Sequence, residues 1–252
     1  MTIHENETPL EKDAESRAKS IQHMFGSIAD RYDILNRILS LGIDIYWRRQ
    51  CIRAMSQTSP RLNPVLDLAA GTGDLGIAFE RSFPGTQVVA ADFSLEMLKR
   101  LKRKKSAESR IQIVTADGRA LPFQSTKFGG VMIGFGIRNF TEREVALREI
   151  HRVLKPGGVL GILEFSMPTN RILGPLYTFY FEKVLPLIGG ILSKRSAYQY
   201  LPESVKAFPA PSDFAALLEA CGFSPVTHRP LTGGISQLYV AKKPTDPSEK
   251  NR

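Results

Sequence analysis

The chain has 252 residues, with 34 Lys and Arg against 25 Asp and Glu, so its formal net charge is +9 at pH 7. Hydrophobic residues make up 42% and charged residues 23%, values that exclude the disordered, collagen-like and coiled-coil classes. Two cysteines, Cys51 and Cys221, are too few for a disulfide framework or a four-thiolate zinc site, which favours a reducing cytoplasm.

The two ends of the chain are polar. Residues 1–20 are rich in acidic residues, which fits neither a secretory signal nor a mitochondrial presequence. We expect residues 1–20 and 245–252 to be disordered tails around one domain, residues 21–244. The most hydrophobic stretch, residues 172–192, is interrupted by Glu182, Lys183, prolines and glycines, which excludes a membrane span. An apolar cap insertion at about residues 168–208 is predicted instead.

Strand and helix patterns alternate along the chain between residues 63 and 168. The predicted strands cover residues 64–68, 87–91, 111–116, 129–135 and 159–165. The first predicted helix follows the turn after residue 68 and ends at residue 83, and two more cover residues 94–105 and 142–154. A helix at 212–221 and strands at 226–230 and 237–241 follow the insertion. Repeated βαβ units predict an α/β fold with a mostly parallel, seven-stranded sheet and helices on both faces.

A glycine-rich turn follows the first strand. The sequence LDLAAGTGDLG places Gly71, Gly73 and Gly76 in a G-x-G-x-x-G pattern, and glycine lets the backbone turn tightly and approach a ligand. Asp92 ends the next strand about 20 residues later, where its carboxylate can accept both ribose hydroxyls. The pattern predicts a nucleoside cofactor; for the glycines alone, an ordinary βα turn is the alternative.

Two nucleoside cofactors fit this pattern: a nicotinamide dinucleotide and S-adenosylmethionine (SAM). Asp67, on the first strand, is placed to orient the turn, and Asp117 with the Gly118 N–H can bind the adenine amino edge. The sequence LKPGG at 154–158, before the fifth strand, is typical of class I methyltransferases. These features favour SAM, with a nicotinamide-dependent oxidoreductase as the alternative.

Six motifs along the chain, in the order of a known family, support a SAM-dependent methyltransferase. At 25–36, 67–74, 135–139, 163–166, 200–204 and 231–235, the chain resembles the ubiquinone/menaquinone biosynthesis C-methyltransferase family, with a match over about residues 20–242. The resemblance implies a Rossmann-like class I methyltransferase fold, SAM as methyl donor, and methylation of a ring carbon of a polyprenyl quinol. Demethylmenaquinol is the preferred acceptor; a ubiquinone precursor, or another small aromatic or lipid, remains open.

The resemblance also implies site residues. Its cofactor-binding set here is Gly71, Thr72, Gly73, Asp92, Asp117, Gly118 and Gly134, the last standing where many relatives have serine. Arg138 and Asn139 are the catalytic candidates. Arg138 would stabilise the quinol anion or orient a water, and Asn139 would donate a neutral hydrogen bond. The alternative for Arg138 is a loop cap or a pair with Glu142. No metal is expected.

The remaining predictions concern partners. Tyr32 and Asp33 are expected to close over the pocket, with packing as the alternative for Tyr32. The aromatic residues of the insertion suit an isoprenoid tail, with core packing as the alternative. The basic run at 99–105 is either a peripheral contact with anionic membrane at the cytoplasmic face or a solvated helix end. The positive net charge is the only feature that supports RNA binding, and the sequence has no RNP-like motif, so no nucleic acid is expected. A homodimer is allowed.

Overall fold

The computed structural model describes residues 14–40, 42–168, 174 and 195–245. The helices described are α1 (Ala14–Leu39), α2 (Ile43–Thr58), α3 (Asp74–Ser82), α4 (Leu95–Lys104), α5 (Arg143–Val153), α6 (Arg195–Lys206) and α7 (Pro211–Ala220). The strands described are β1 (Val65–Leu68), β2 (Val88–Asp92), β3 (Gln112–Thr115), β4 (Phe128–Gly134), β5 (Leu154–Phe165), β6 (Val226–Leu231) and β7 (Ser236–Lys242). Short 3₁₀ turns lie at Ile137–Asn139 and Thr232–Gly234.

The strands form one sheet in the order β3-β2-β1-β4-β5-β7-β6. Neighbouring strands from β3 to β5 are parallel, whereas β7 runs antiparallel to both β5 and β6. The predicted α/β class with a mostly parallel, seven-stranded sheet is confirmed. β5 starts at Leu154, earlier than predicted, because Leu154 pairs with Phe128 before a register shift and the regular ladder resumes at Val159.

Helices cover both faces of the sheet, because the side chains of a strand alternate between its faces. On one face Leu66, Val131 and Ile162 pack with residues of α5 and α7. On the other, Val65 and Met132 pack with residues of α2, α3 and α4. Every residue of β1 and β2 is buried, which explains their continuous hydrophobic runs.

The amino-terminal boundary differs from the prediction. Residues 14–20, predicted to be disordered, form the first turns of α1, so that part of the prediction is wrong. These polar residues lead into an apolar stripe of α1, in which Ile21 and Met24 are buried with Tyr200 of α6. Residues 1–13 and 246–252, and most of the predicted cap, lie outside the described residues, so the remaining domain boundaries stay predictions. Among the described helices, none is long and apolar enough to span a membrane.

Candidate active site

A cavity of about 320 Å³ lies at the carboxyl edge of the parallel strands. Its floor comes from the ends of β1, β2 and β4, and its cover from α1, the start of α2 and α6. The predicted residues that line it are Gly71, Thr72, Asp92, Asp117, Gly118, Gly134, Arg138 and Asn139, together with Tyr32. Parallel strands bring their carboxyl ends to one edge, which explains how residues so far apart in sequence meet.

Gly73 does not line the cavity, and its role in the turn is structural. Its φ is +81°, and a Cβ at this position would overlap the Leu101 side chain of α4. Gly76 is constrained differently, because a Cβ there would lie 2.8 Å from Oδ2 of Asp67. The glycine pattern therefore allows the turn to pack closely between α4 and β1.

Asp67 belongs to β1, and its carboxylate lies in the cavity wall, next to the glycine turn. Its Oδ2 accepts the Gly76 N–H at 2.8 Å, which orients the first turn of α3 as predicted. No described residue donates to its buried Oδ1. Burial raises the pKa of Asp67 to about 7, since water is excluded from the charged form.

Asp92 connects the end of β2 to the glycine turn. Its Oδ2 accepts the Gly71 N–H at 2.8 Å, and its Oδ1 accepts the Ser94 N–H at 2.8 Å. Burial raises the pKa of Asp92, although the backbone donors oppose this effect. A carboxylate has about four acceptor sites, so Asp92 keeps capacity for ligand hydroxyls at the cavity surface.

Asp117 and Gly118 line the cavity just after β3. Arg119 donates to both carboxylate oxygens of Asp117. Its Nη2 lies 2.7 Å from Oδ2, and its Nε lies 3.0 Å from Oδ2 and 3.2 Å from Oδ1. These hydrogen bonds lower the pKa of Asp117. Gly118 lies under Phe140, whose ring would be 2.6 Å from a Cβ at this position. Neither Arg119 nor Phe140 was predicted from the sequence.

Arg138 is buried and forms an ion pair with Glu164 at the end of β5. Nη1 of Arg138 is 2.8 Å from Oε1 of Glu164, and the Arg138 backbone N–H donates to Oε2 at 3.0 Å. The alternative pair with Glu142 is wrong, since Glu142 instead accepts from Arg119 at 2.7 Å. Burial lowers the pKa of the Arg138 guanidinium, but the combined effect of Glu164, Tyr32 and Tyr200 outweighs burial, so the pKa is raised. Arg138 therefore stays protonated.

Asn139 is oriented by the cap helix α6. The Tyr200 hydroxyl donates to Oδ1 of Asn139 at 2.9 Å, so the amide N–H₂ remains available to the cavity. Tyr32 lies over the glycine turn, with Cε1 4.0 Å from the position of a Cβ on Gly71. Burial raises the pKa of Tyr32, which keeps the phenol neutral.

An ion network that sequence reasoning missed joins α1 to the glycine turn. The Thr72 hydroxyl donates to Asp33, and Lys104 Nζ lies 2.7 Å from Oδ2 of the same aspartate. The network continues through residues of α1, α2 and α3, namely Arg37, Asp44, Arg48 and Asp74. Lys104 belongs to the basic run at 99–105 but pairs inward, so it does not contribute to a membrane-facing charge.

Known proteins resemble this chain in sequence. The sequence profile of the ubiE/COQ5 methyltransferase family matches residues 12–243. The chain belongs to this family. A protein of Thermus thermophilus named demethylmenaquinone methyltransferase is 46% identical over 223 residues, which are 88% of this chain and 100% of that protein. The ubiquinone/menaquinone biosynthesis C-methyltransferase UbiE of Syntrophotalea carbinolica is also 46% identical, over 86% of this chain and 91% of its own.

Solved structures share the fold at low sequence identity. A SAM-dependent methyltransferase of Thermotoga maritima has a TM-score of 0.58 at 16% identity, over 88% of this chain and 99% of its own. One from Aquifex aeolicus has a TM-score of 0.55 at 18% identity, over 76% and 88%. The predicted family, the class I fold and SAM as methyl donor are therefore confirmed. The nicotinamide alternative is not supported, because the family transfers methyl groups.

Proposed function

We propose that this ubiE/COQ5-family enzyme methylates a ring carbon of a reduced, prenylated quinone. The preferred acceptor is demethylmenaquinol, with 2-polyprenyl-6-methoxy-1,4-benzoquinol as a second acceptor. The observation that carries the proposal is the buried Arg138, held protonated beside Asn139 in the wall of a mainly apolar cavity. The names of the Thermus and Syntrophotalea relatives support the same acceptor class.

The residues at the cavity edge fit SAM, which supplies a methyl group on a positively charged sulfonium. Asp67 presents a buried Oδ1 to which no described group donates, and such an atom suits the ammonium of the methionine part. Asp92 would bind the ribose hydroxyls. Asp117 and the Gly118 backbone would bind adenine, while Gly71 and Thr72 would lie along the methionine part.

Arg138 and Asn139 would activate the acceptor. Loss of the quinol hydroxyl proton, with solvent as the final acceptor, moves electron density onto the adjacent ring carbon, which makes that carbon nucleophilic. The new C–CH₃ bond would form as the S–CH₃ bond breaks and S-adenosylhomocysteine leaves, and the ring carbon would then lose its own proton to restore the quinol. Arg138 would stabilise the resulting oxyanion, and the free amide N–H₂ of Asn139 would donate a second hydrogen bond. The aromatic residues Phe135 and Phe165, whose ring centroids are 4.5 Å apart, exclude water on this side. Positioning the ring carbon in line with the methyl group then supplies much of the rate.

The isoprenoid tail would lie along α1. Ile21, Met24, Phe25 and Ile28 of α1 line the same cavity as Leu201 of α6, so an apolar surface continues from the acceptor site. The predicted aromatic residues of the insertion lie outside the described residues. A tail of this kind keeps the substrate in a bilayer, so we propose a cytoplasmic enzyme bound peripherally to the anionic inner face of the membrane.

Product analysis tests the proposal. Purified enzyme is incubated with methyl-deuterated SAM and, separately, with demethylmenaquinol and the methoxybenzoquinol. We expect one labelled methyl on a ring carbon, with no product from the oxidised quinones, because only the quinol can form the phenolate. Label on neither quinol, or on oxygen, would overturn the proposal. Arg138→Ala should lower kcat about 100-fold and leave the Kd for SAM within about threefold.

A further inference from the structure

We infer that Glu164 is a positioning residue for methyl transfer, acting on the acceptor only through Arg138. The inference rests on the proposed function, because it takes Arg138 to bind the acceptor oxygen. Glu164 has no exposed surface and does not line the cavity, so it does not itself contact the acceptor.

The contacts of Glu164 fix the Arg138 side chain and backbone together. Oε1 accepts from Nη1 of Arg138 at 2.8 Å and from the Phe165 N–H at 2.9 Å. Oε2 accepts the Arg138 backbone N–H at 3.0 Å. One carboxylate at the end of β5 therefore holds both the 3₁₀ turn that carries Arg138 and the guanidinium at its tip.

These contacts determine which donor of Arg138 is left for a ligand. Nη1 is occupied by Glu164 and by the Phe135 carbonyl oxygen. The guanidinium carbon lies 5.5 Å from the centroid of the Phe165 ring, which restrains its tilt. Within the part of the chain that the structure describes, no acceptor reaches the buried Nε, and Nη2 has no hydrogen bond to a described residue. A planar guanidinium held at Nη1 and against one ring has a single orientation, so Glu164 sets the direction of its remaining N–H donors.

Charge gives Glu164 a second effect. A buried cation without a partner is strongly unfavourable, whereas the Arg138–Glu164 pair is neutral overall. The pair therefore lets Arg138 remain inside the cavity wall, where it does not rotate toward solvent. Arg143 also binds this turn, but among the described residues its hydrogen bond goes to the Arg138 carbonyl oxygen, at 3.1 Å, and does not involve the Arg138 guanidinium. Arg143 thus provides a matched control.

A double-mutant cycle tests the inference with the quinol assay described above. We expect Glu164→Gln to lower kcat at least about 30-fold while the Kd for SAM stays within about threefold. In an Arg138→Met background the same change should alter kcat less than about threefold, since the group that Glu164 orients is gone. Arg143→Gln should leave kcat within about threefold of the wild type.

A conservative variant separates positioning from packing. Glu164→Asp keeps the carboxylate but is one methylene shorter, whereas glutamine keeps the size and loses the charge. Positioning predicts kcat in the order Glu, Asp, Gln, and packing predicts Glu, Gln, Asp. The second order, equal losses with and without Arg138, or a Gln variant as active as the wild type would overturn the inference. If Glu164→Gln does not fold, the Asp variant is used in the same cycle. A wild type that methylates no quinol would instead refute the proposed function.

Discussion

The buried carboxyl of Asp67 makes the stability of the free enzyme depend on pH. An acid whose pKa is raised by folding holds its proton more tightly in the folded chain than in the unfolded chain. The pKa of Asp67 is about 7 in the folded protein, against an ordinary value of 3.8. Between these values the unfolded chain has lost the proton and the folded chain has not. The stability contributed by Asp67 therefore falls as pH rises from about 4 to about 7.

The size of the effect follows from the same two values. Each pKa unit corresponds to about 1.4 kcal/mol, so ionised Asp67 lowers the free energy of unfolding by up to about 4 kcal/mol above pH 7. Asp67→Asn removes the ionisation and keeps an oxygen that can accept the Gly76 N–H. Its amide N–H₂ then occupies the site of the unpartnered oxygen, at a pH-independent cost of about 1–3 kcal/mol.

Urea unfolding at pH 4, 5, 6, 7 and 8, without SAM, measures the effect. We expect the free energy of unfolding of Asp67→Asn, relative to wild type, to rise by up to about 4 kcal/mol from pH 4 to pH 8. Asp213→Asn, at an exposed position of α7, is the control and should show little change with pH. A difference between Asp67→Asn and wild type that is constant over this range would refute the reasoning, because it would mean that Asp67 has the same pKa in both states.

Three further substitutions test the cavity and the glycine turn beside it. Asp92→Ala removes a carboxylate that accepts two backbone N–H groups, so the free energy of unfolding should fall by about 1–3 kcal/mol. It also removes the proposed ribose ligand, so SAM affinity, measured by calorimetry, should fall about tenfold. Unchanged affinity would remove Asp92 from the ribose site. Gly73→Ala should lower the free energy of unfolding by about 2–4 kcal/mol. Gly85→Ala, with φ +92° and open space around it, is the control for strain alone, and equal losses would exclude the clash. Tyr200→Phe frees the Asn139 amide to flip, so the quinol KM should rise about fivefold while the Kd for SAM is unchanged.

The sequence was sufficient where local pattern and strand polarity decide the outcome. The alternation of strands and helices, with glycines after the first strand and Asp92 at the end of the second, placed the predicted cofactor-binding residues at one edge of a parallel sheet. The start of α1 was missed because its apolar stripe is diluted by charged residues and becomes recognisable only against α6.

Tertiary structure decided which charged groups meet. Arg138 was predicted as a site residue from the sequence, but its ion-pair partner is Glu164, 26 positions away on β5, and not the nearby Glu142. Asp33 of α1 reaches Thr72 across 39 positions, a contact that no local pattern encodes. Side-chain pairs between separate elements depend on the packing of the sheet and its helices. The chain by itself therefore determined the family, the cofactor and the location of the site, while the packing determined how its arginine is oriented and neutralised.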